Sequence, residues 1–258
     1  MSRETERKSS ELPSLILAVA IALLIRTFMF QSFYVPSDSM LPTMLVGDHV
    51  FVNKLAYGPR IPFTEIQLPG YRKPERGEVV VFNLGRGPRG IYPADQRPEL
   101  STEAFVKRLV GLPGDRVEVR GGQVHLNGEP LPTSPSAETF TDSEGRVFHV
   151  HIETLGECRH RILDDPLQAG IDMEPRVVPP GRYLFLGDNR DNSYDGRRFG
   201  TVRLQELEGP AGLLYWSWDW NGSWFSLLNP VTWWKNLTGK TRWERMGRFR
   251  ECLETNGG

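Results

Sequence analysis

The chain has 258 residues and a formal net charge of -1, since 31 lysines and arginines face 32 aspartates and glutamates. Such a balance argues against nucleic acid as the main partner, because no basic excess is available to attract phosphates. An apolar fraction of 39% excludes a disordered chain. The 26 glycines and 20 prolines favour many short strands joined by turns. Two cysteines, Cys158 and Cys252, exclude a disulfide framework, and we expect two unpaired thiols rather than a bridge between them.

The first element is an apolar run after a polar N-terminus. Residues 12–30 are 19 residues with a single charge, Arg26, and a helix of that length would just cross a hydrocarbon core of roughly 30 Å. The run lacks the polar stripe of a buried core helix, and no small-x-small site follows it, as a cleavable signal peptide would require. The sequence therefore predicts a retained transmembrane anchor, with residues 1–31 forming the cytoplasmic N-terminus and the membrane segment.

The cations that flank this run predict the orientation of the anchor. After Arg26 the next lysine or arginine is Lys54, whereas three cations stand before the run: Arg3, Arg7 and Lys8. By the positive-inside rule the N-terminus lies in the cytoplasm, and the bulk of the protein lies on the outer side.

Beyond the anchor, short apolar runs alternate with turn residues. Six runs are typical of strands: 49–57, 78–84, 104–112, 116–120, 123–128 and 182–188. Gly121 and Gly122 separate two of them and favour a tight hairpin. The pattern predicts a mainly β domain over residues 32–230. The stretch 133–170 is polar with poor strand periodicity, and we interpret it as an irregular insertion or small subdomain.

Residues 213–237, the tryptophan-rich segment, contain six of the seven tryptophans. Asp219, Asn221 and Pro230 interrupt it and argue against a second transmembrane helix. It fits a membrane–water interface and an aromatic core equally well. For the basic C-terminal tail, 231–258, a solvated end is favoured slightly over contact with anionic lipid.

Three segments carry candidate chemistry: PSDSMLPTM (36–44), VKRLVGLPGD (106–115) and GDNRDNSYDGR (187–197). None contains a histidine, so a Ser-His-Asp triad is not suggested locally. His149 and His151, with His160 and Cys158 nearby, are the one candidate ligand cluster; their setting does not favour a metal site, and we expect neither metal nor cofactor.

Lys107 is the unusual residue of these segments. In a strand over 104–110 it shares one face with Phe105 and Leu109. It could be a surface lysine whose stem covers apolar neighbours. Alternatively it could be a desolvated amine whose pKa is lowered by burial, and such an amine can take a proton from a serine hydroxyl.

Taken together, the three segments resemble the boxes of bacterial signal peptidase I, and the resemblance runs from the anchor to about residue 200, apart from the insertion. It implies an antiparallel β body, like those of signal peptidases and repressor-type proteases, on one N-terminal helix. It makes Ser39 the nucleophile and Lys107 the general base. The PS-x-SM pattern alone would be weak, because self-cleaving repressor-type Ser–Lys proteases also contain it.

The resemblance implies further roles. The Ser37 hydroxyl and the Ser39 backbone N–H would stabilise the oxyanion, Ser193 would orient the lysine amine, and Asp195 with Arg197 would form a supporting salt bridge. Shallow apolar pockets that accept Ala-x-Ala sequences would be lined by Phe33, Val35, Met40, Met44, Phe105 and Val106.

Two residues depart from the commonest family pattern. Asp38 stands where glycine is frequent, and we expect its carboxylate to point to solvent, away from the oxyanion site. Gly196 replaces a frequent serine. Neither change removes a catalytic group.

We therefore expect a single-pass endopeptidase of the bacterial plasma membrane with its catalytic domain on the outer side. It would be a monomer that cleaves signal peptides from exported preproteins. The alternatives are a repressor-type Ser–Lys protease that cleaves itself and a catalytically silent β-domain that binds peptides.

Overall fold

The structure is a computed structural model that describes residues 2–61, 64, 66–88, 90–93, 95–97, 103–218, 241–249 and 252–253. Most of the tryptophan-rich segment and of the predicted tail, namely residues 219–240, 250–251 and 254–258, lies outside the described residues. The two interpretations of the tryptophan-rich segment therefore stay open.

The N-terminal helix α1 spans Ser2–Phe28 and contains the apolar run. Its large apolar side chains between positions 12 and 25 are exposed. Among the described residues, no helix has the length and apolar character needed to cross a membrane.

The rest of the described chain is mainly β. The strands are β1 (Phe30–Tyr34), β2 (Asp48–Asn53), β3 (Val79–Leu84), β4 (Arg86–Gly87), β5 (Gly90–Ile91), β6 (Glu103–Gly111), β7 (Arg116–Arg120), β8 (Gln123–Leu126), β9 (Glu129–Pro130), β10 (Thr133–Thr141), β11 (Val147–Leu155), β12 (Cys158–Asp164), β13 (Met173–Val177), β14 (Arg182–Leu186), β15 (Val202–Arg203), β16 (Leu207–Ser217) and β17 (Gly247–Arg248). A short helix α2 covers Gly196–Phe199, and 3-10 turns cover Asp38–Met40, Leu204–Glu206 and Trp243–Arg245. Six of these strands (β2, β3, β6, β7, β8 and β14) confirm the six strand predictions.

The main sheet places strands from distant parts of the sequence side by side. Its order is β1-β2-β16-β3-β6-β14-β15, with β17 paired to β16, and its pairs are antiparallel. Strand β3 is a run of three valines and a phenylalanine buried on both faces, which suits a central strand. The mainly β, antiparallel prediction is therefore confirmed.

A second sheet, in the order β13-β7-β8-β9, extends the body. Its β7–β8 hairpin turns at Gly121 and Gly122, whose φ angles are +57° and +78°. Only glycine adopts two successive positive φ angles without steric cost, so the two glycines fix this turn as predicted.

The prediction that residues 133–170 are irregular is wrong. They contain an antiparallel sheet in the order β10-β11-β12, with strands of nine, nine and seven residues. The periodicity is hidden because buried positions include polar Glu153 and His160. The buried apolar side chains of this sheet include Phe148, Val150 and Leu163. They pack against Leu41, the residue that directly follows the 3-10 turn Asp38–Met40.

The expectation of free thiols is also wrong, because Cys158 and Cys252 form a disulfide. It joins β12 to the C-terminal segment across 94 residues of sequence. Next to it, the backbone N–H of Leu253 donates to the Arg159 carbonyl at 2.6 Å. The pairing depends on tertiary proximity, which the spacing of two cysteines does not reveal.

Candidate active site

Two side chains from distant segments of the chain meet at the main sheet. Ser39 lies in the 3-10 turn Asp38–Met40 that follows β1, and Lys107 lies in the middle of β6. The Lys107 amine donates to the Ser39 hydroxyl, with Nζ and Oγ 2.6 Å apart. It also donates to the Val106 carbonyl at 2.9 Å. A lysine and a serine in direct contact have the geometry of a base and a nucleophile.

The environment of Lys107 shifts the equilibrium of its amine toward the neutral form. The residue is 3% exposed, and its pKa is lowered to about 8 because burial disfavours the ammonium. The carboxylates of Asp195 and Asp188 act in the opposite direction and raise the pKa. Lys107 is therefore a desolvated amine and not a surface lysine, which was the other interpretation that the sequence allowed.

The Ser37 hydroxyl lies beside the Ser39 hydroxyl, with the two oxygens 3.3 Å apart. Ser37 is exposed at the mouth of the site, whereas Ser39 is buried. A hydroxyl beside the serine oxygen is where an oxyanion donor is needed. Between them in sequence, Asp38 keeps 29% of its side chain exposed.

Segment 187–197 packs directly on the backbone of the 3-10 turn Asp38–Met40. Asn189 donates its backbone N–H to the Ser39 carbonyl and its side-chain amide to the Asp38 carbonyl, both at 3.2 Å. A Cβ on Gly187 would lie 2.5 Å from the Ser39 carbonyl oxygen and 2.2 Å from the Ser193 hydroxyl. Glycine is therefore required at 187 because the two backbones approach so closely.

Ser193 lies beside Gly187, but it does not make the predicted contact with the lysine amine. Its hydroxyl is buried and has no hydrogen-bond partner among the described residues. Its orienting role on Lys107 stays a prediction.

Asp195 and Arg197 form the predicted salt bridge. The Arg197 guanidinium donates to both carboxylate oxygens, at 2.9 and 2.8 Å, and the Gly187 N–H donates to the same carboxylate at 3.0 Å. Burial alone would raise the pKa of Asp195, but Arg197 holds it below its usual value. The pair therefore ties α2 to the start of segment 187–197.

A second ion pair under the site was not predicted from the sequence. Arg108 and Asp188 are fully buried, and Arg108 donates to the two carboxylate oxygens at 2.8 and 2.6 Å. The Thr43 hydroxyl donates to the same carboxylate at 2.5 Å. The pair links β6, segment 187–197 and the chain after Ser39. Its only signal in the sequence is that both partners lie inside the motif segments, where charged residues would be interpreted as exposed.

The three-stranded sheet supports the same segment through another buried pair. Arg190 donates to both carboxylate oxygens of Glu153 on β11, at 2.7 and 2.6 Å. His160 on β12 lies 3.3 Å from that carboxylate. Residues 133–170 thus brace the site.

A cleft of about 430 Å³ opens over Ser39 and Lys107. Four of the six predicted pocket residues line it: Phe33, Val35, Phe105 and Val106. The other two, Met40 and Met44, do not line it, because both are fully buried in a core cluster that also contains Val35. Cleft residues that the sequence did not indicate include Pro36, Val81, Asn192 and Tyr194.

No group of three potential ligands gathers into a metal site in the part of the chain that the structure describes. His149 and His151 lie on β11 and belong to no such group of ligands among the described residues.

Comparison with known proteins decides the family. The model of "Signal peptidase, peptidase S26" matches residues 9–216. The chain therefore belongs to the signal peptidase family S26. Signal peptidase I of Leptolyngbya laminosa is 34% identical over 202 residues, which is 78% of this chain and 75% of that protein. Signal peptidase I of Pseudomonas aeruginosa is 34% identical over 213 residues, 77% of this chain and 69% of that protein. Membership of the S26 family makes the chain a hydrolase, specifically a serine endopeptidase.

Proposed function

We propose that this endopeptidase removes N-terminal signal peptides from exported preproteins at Ala-x-Ala-like sites, with Ser39 as nucleophile and Lys107 as general base. The contact between the buried Lys107 amine and the Ser39 hydroxyl, at 2.6 Å, carries the proposal. A pKa of about 8 leaves roughly a tenth of the amine neutral at pH 7, and that fraction can accept the serine proton.

The reaction follows from these positions. As Lys107 takes its proton, the Ser39 oxygen attacks the carbonyl carbon of the scissile bond, and the oxyanion is stabilised by the Ser37 hydroxyl and the Ser39 N–H. The Lys107 ammonium then gives the proton to the leaving amine, and an acyl-enzyme remains. Water, deprotonated by the same lysine, releases the signal peptide.

The cleft supports a preference for small side chains. Phe33, Val35, Phe105 and Val106 form apolar walls, while Met40 and Met44 limit its depth from the core below. Larger substrate side chains would overlap these walls. The exposed edges beside Ser39 would pair with an extended peptide by β-addition.

Two observations support attachment to the bacterial plasma membrane with the catalytic domain on the outer side. The apolar side chains of α1 are exposed, as expected of an anchor that contacts lipid. The Cys158–Cys252 disulfide is typical of an oxidising compartment outside the cytoplasm. In this proposal the enzyme acts as a monomer without a cofactor.

The test is cleavage of a purified preprotein by the detergent-solubilised full chain. Ser39→Ala and Lys107→Arg should abolish the shortened product, because alanine lacks the nucleophile and arginine stays protonated. Ser134→Ala and Lys73→Arg, the same changes at exposed positions, should cleave at the wild-type rate, and EDTA should have no effect. Turnover by either dyad variant would refute the dyad, while cleavage of the enzyme itself but not of the preprotein would favour the repressor-type alternative.

A further inference from the structure

A second and larger concavity, which we call the distal groove, lies beside the cleft. It measures about 910 Å³, and Tyr34 and Asp38 line both it and the cleft. The distal groove therefore continues the cleft past the 3-10 turn Asp38–Met40, which we call the nucleophile turn. Its far wall is formed by residues 140–143, at the β10–β11 hairpin.

Aromatic rings form much of the groove surface. The Tyr34 and His49 rings lie 5.1 Å apart, and those of His49 and Tyr215 lie 5.8 Å apart. Phe140, Trp216 and Trp218 also line the groove. Such a surface suits the apolar stem of a long side chain, and the ring faces attract a cation.

The carboxylates of the groove differ in how far they are already paired. Asp142 accepts a hydrogen bond from the Arg146 side chain at 2.7 Å and two from backbone N–H groups at 2.9 Å. Asp38 is reached by the Arg146 guanidinium at 3.9 Å, and no closer cation lies near it among the described residues. Partial burial and the nearby Asp142 raise the pKa of Asp38, so its carboxylate would gain from a further cation.

We propose that the distal groove binds the polypeptide on the C-terminal side of the scissile bond, and that Asp38 selects lysine or arginine within the first four residues after the cut. This inference rests on the proposed function, because it assumes that the signal-peptide side occupies the cleft.

Continuity between the two cavities gives the direction. A peptide that fills the cleft with the residues before the cut presents its scissile bond at Ser39 and must then leave past the nucleophile turn. The distal groove meets the cleft there, since Asp38, the neighbour of Ser39, lines both cavities together with Tyr34. The hairpin at 140–143 extends the contact to several residues, which gives segment 133–170 a second role beside bracing the site.

The test uses preprotein-derived peptides with lysine, glutamine or glutamate at each of the first four positions after the cut. A matched series carries the same residues before the cut, outside the two alanine positions. With the full chain in detergent, we expect kcat/KM to be about tenfold higher for lysine than for glutamate at one or more positions after the cut. The partly exposed Asp38 carboxylate attracts the lysine and repels the glutamate, and both effects contribute to this ratio. The ratio should shrink in 1 M salt.

Asp38→Asn should bring the lysine-to-glutamate ratio close to one, and Asp38→Lys should invert it. Glu129→Gln, the same loss of charge at an exposed position on β9, should keep the wild-type ratio. An unchanged ratio in both Asp38 variants, or a charge preference confined to positions before the cut, would overturn the inference while cleavage itself still supports the proposed function. If the wild type cleaves none of the peptides and no preprotein, the proposed function fails instead.

Discussion

Replacing the buried lysine by an uncharged residue of similar length should stabilise the fold at neutral pH while abolishing activity. The pKa of Lys107 is about 8 in the folded chain, against an ordinary value near 10.4. At pH 7 the folded state must therefore keep a disfavoured ammonium buried, at a cost of about 3 kcal/mol. Lys107→Met removes that cost but loses the hydrogen bonds to Ser39 and Val106, worth about 1 kcal/mol each. The net expectation at pH 7 is a variant about 1 kcal/mol more stable than the wild type.

The free energy of unfolding should also depend on pH in the wild type in a way that it does not in Lys107→Met. Between pH 8 and about 10.4 the unfolded wild type binds a proton that the folded wild type has released, so its free energy of unfolding rises with pH. Lys107→Met has no such group. Across this window the free energy of unfolding of the wild type should rise by about 2.5 kcal/mol relative to that of the variant. The wild type should then be the more stable protein at the upper end of the window.

Urea unfolding of the full chain in detergent, followed by tryptophan fluorescence from pH 7 to 10, measures the difference between wild type and variant. Lys73→Met, at an exposed lysine, is the control and should differ from the wild type by a constant amount. A Lys107→Met difference that is equally constant with pH would refute a lowered lysine pKa, and with it the neutral base.

Four further outcomes concern the lysine base, Ser193, the disulfide and the membrane orientation. The wild-type kcat/KM should rise about tenfold between pH 7 and 9, because the neutral fraction of an amine with a pKa of about 8 rises over that range; a flat profile would contradict the lysine base. Ser193→Ala should lower kcat on the order of 10²-fold with little change in KM or melting temperature, whereas full activity would make Ser193 a turn residue only. Cys158→Ser with Cys252→Ser should lower the free energy of unfolding by about 2–4 kcal/mol, measured under non-reducing conditions, and an unchanged value would mean that the bridge is dispensable. A protease tag at the C-terminus should be removable from outside spheroplasts and one at the N-terminus should not; the reverse pattern would overturn the orientation.

Local pattern determined six of the strands, the glycine turn and the family motifs. A run such as residues 79–82, three valines and a phenylalanine, favours a buried strand by its own chemistry, and two successive glycines favour a tight turn by theirs. Ser39, Lys107 and the Asp195–Arg197 pair were found because short motifs contain them.

Only the tertiary structure decided which distant groups meet. The disulfide joins residues 94 positions apart, and the Arg108–Asp188 pair forms because β6 lies beside β14 in the sheet. Met40 and Met44 belong to the core rather than the cleft, since both pack in the buried cluster that contains Val35. The regularity of residues 133–164 was hidden because Glu153 and His160 take buried positions that apolar residues would otherwise mark. Sequence periodicity reports only the burial of apolar groups, whereas a buried charge is tolerated when a partner from another segment pairs with it.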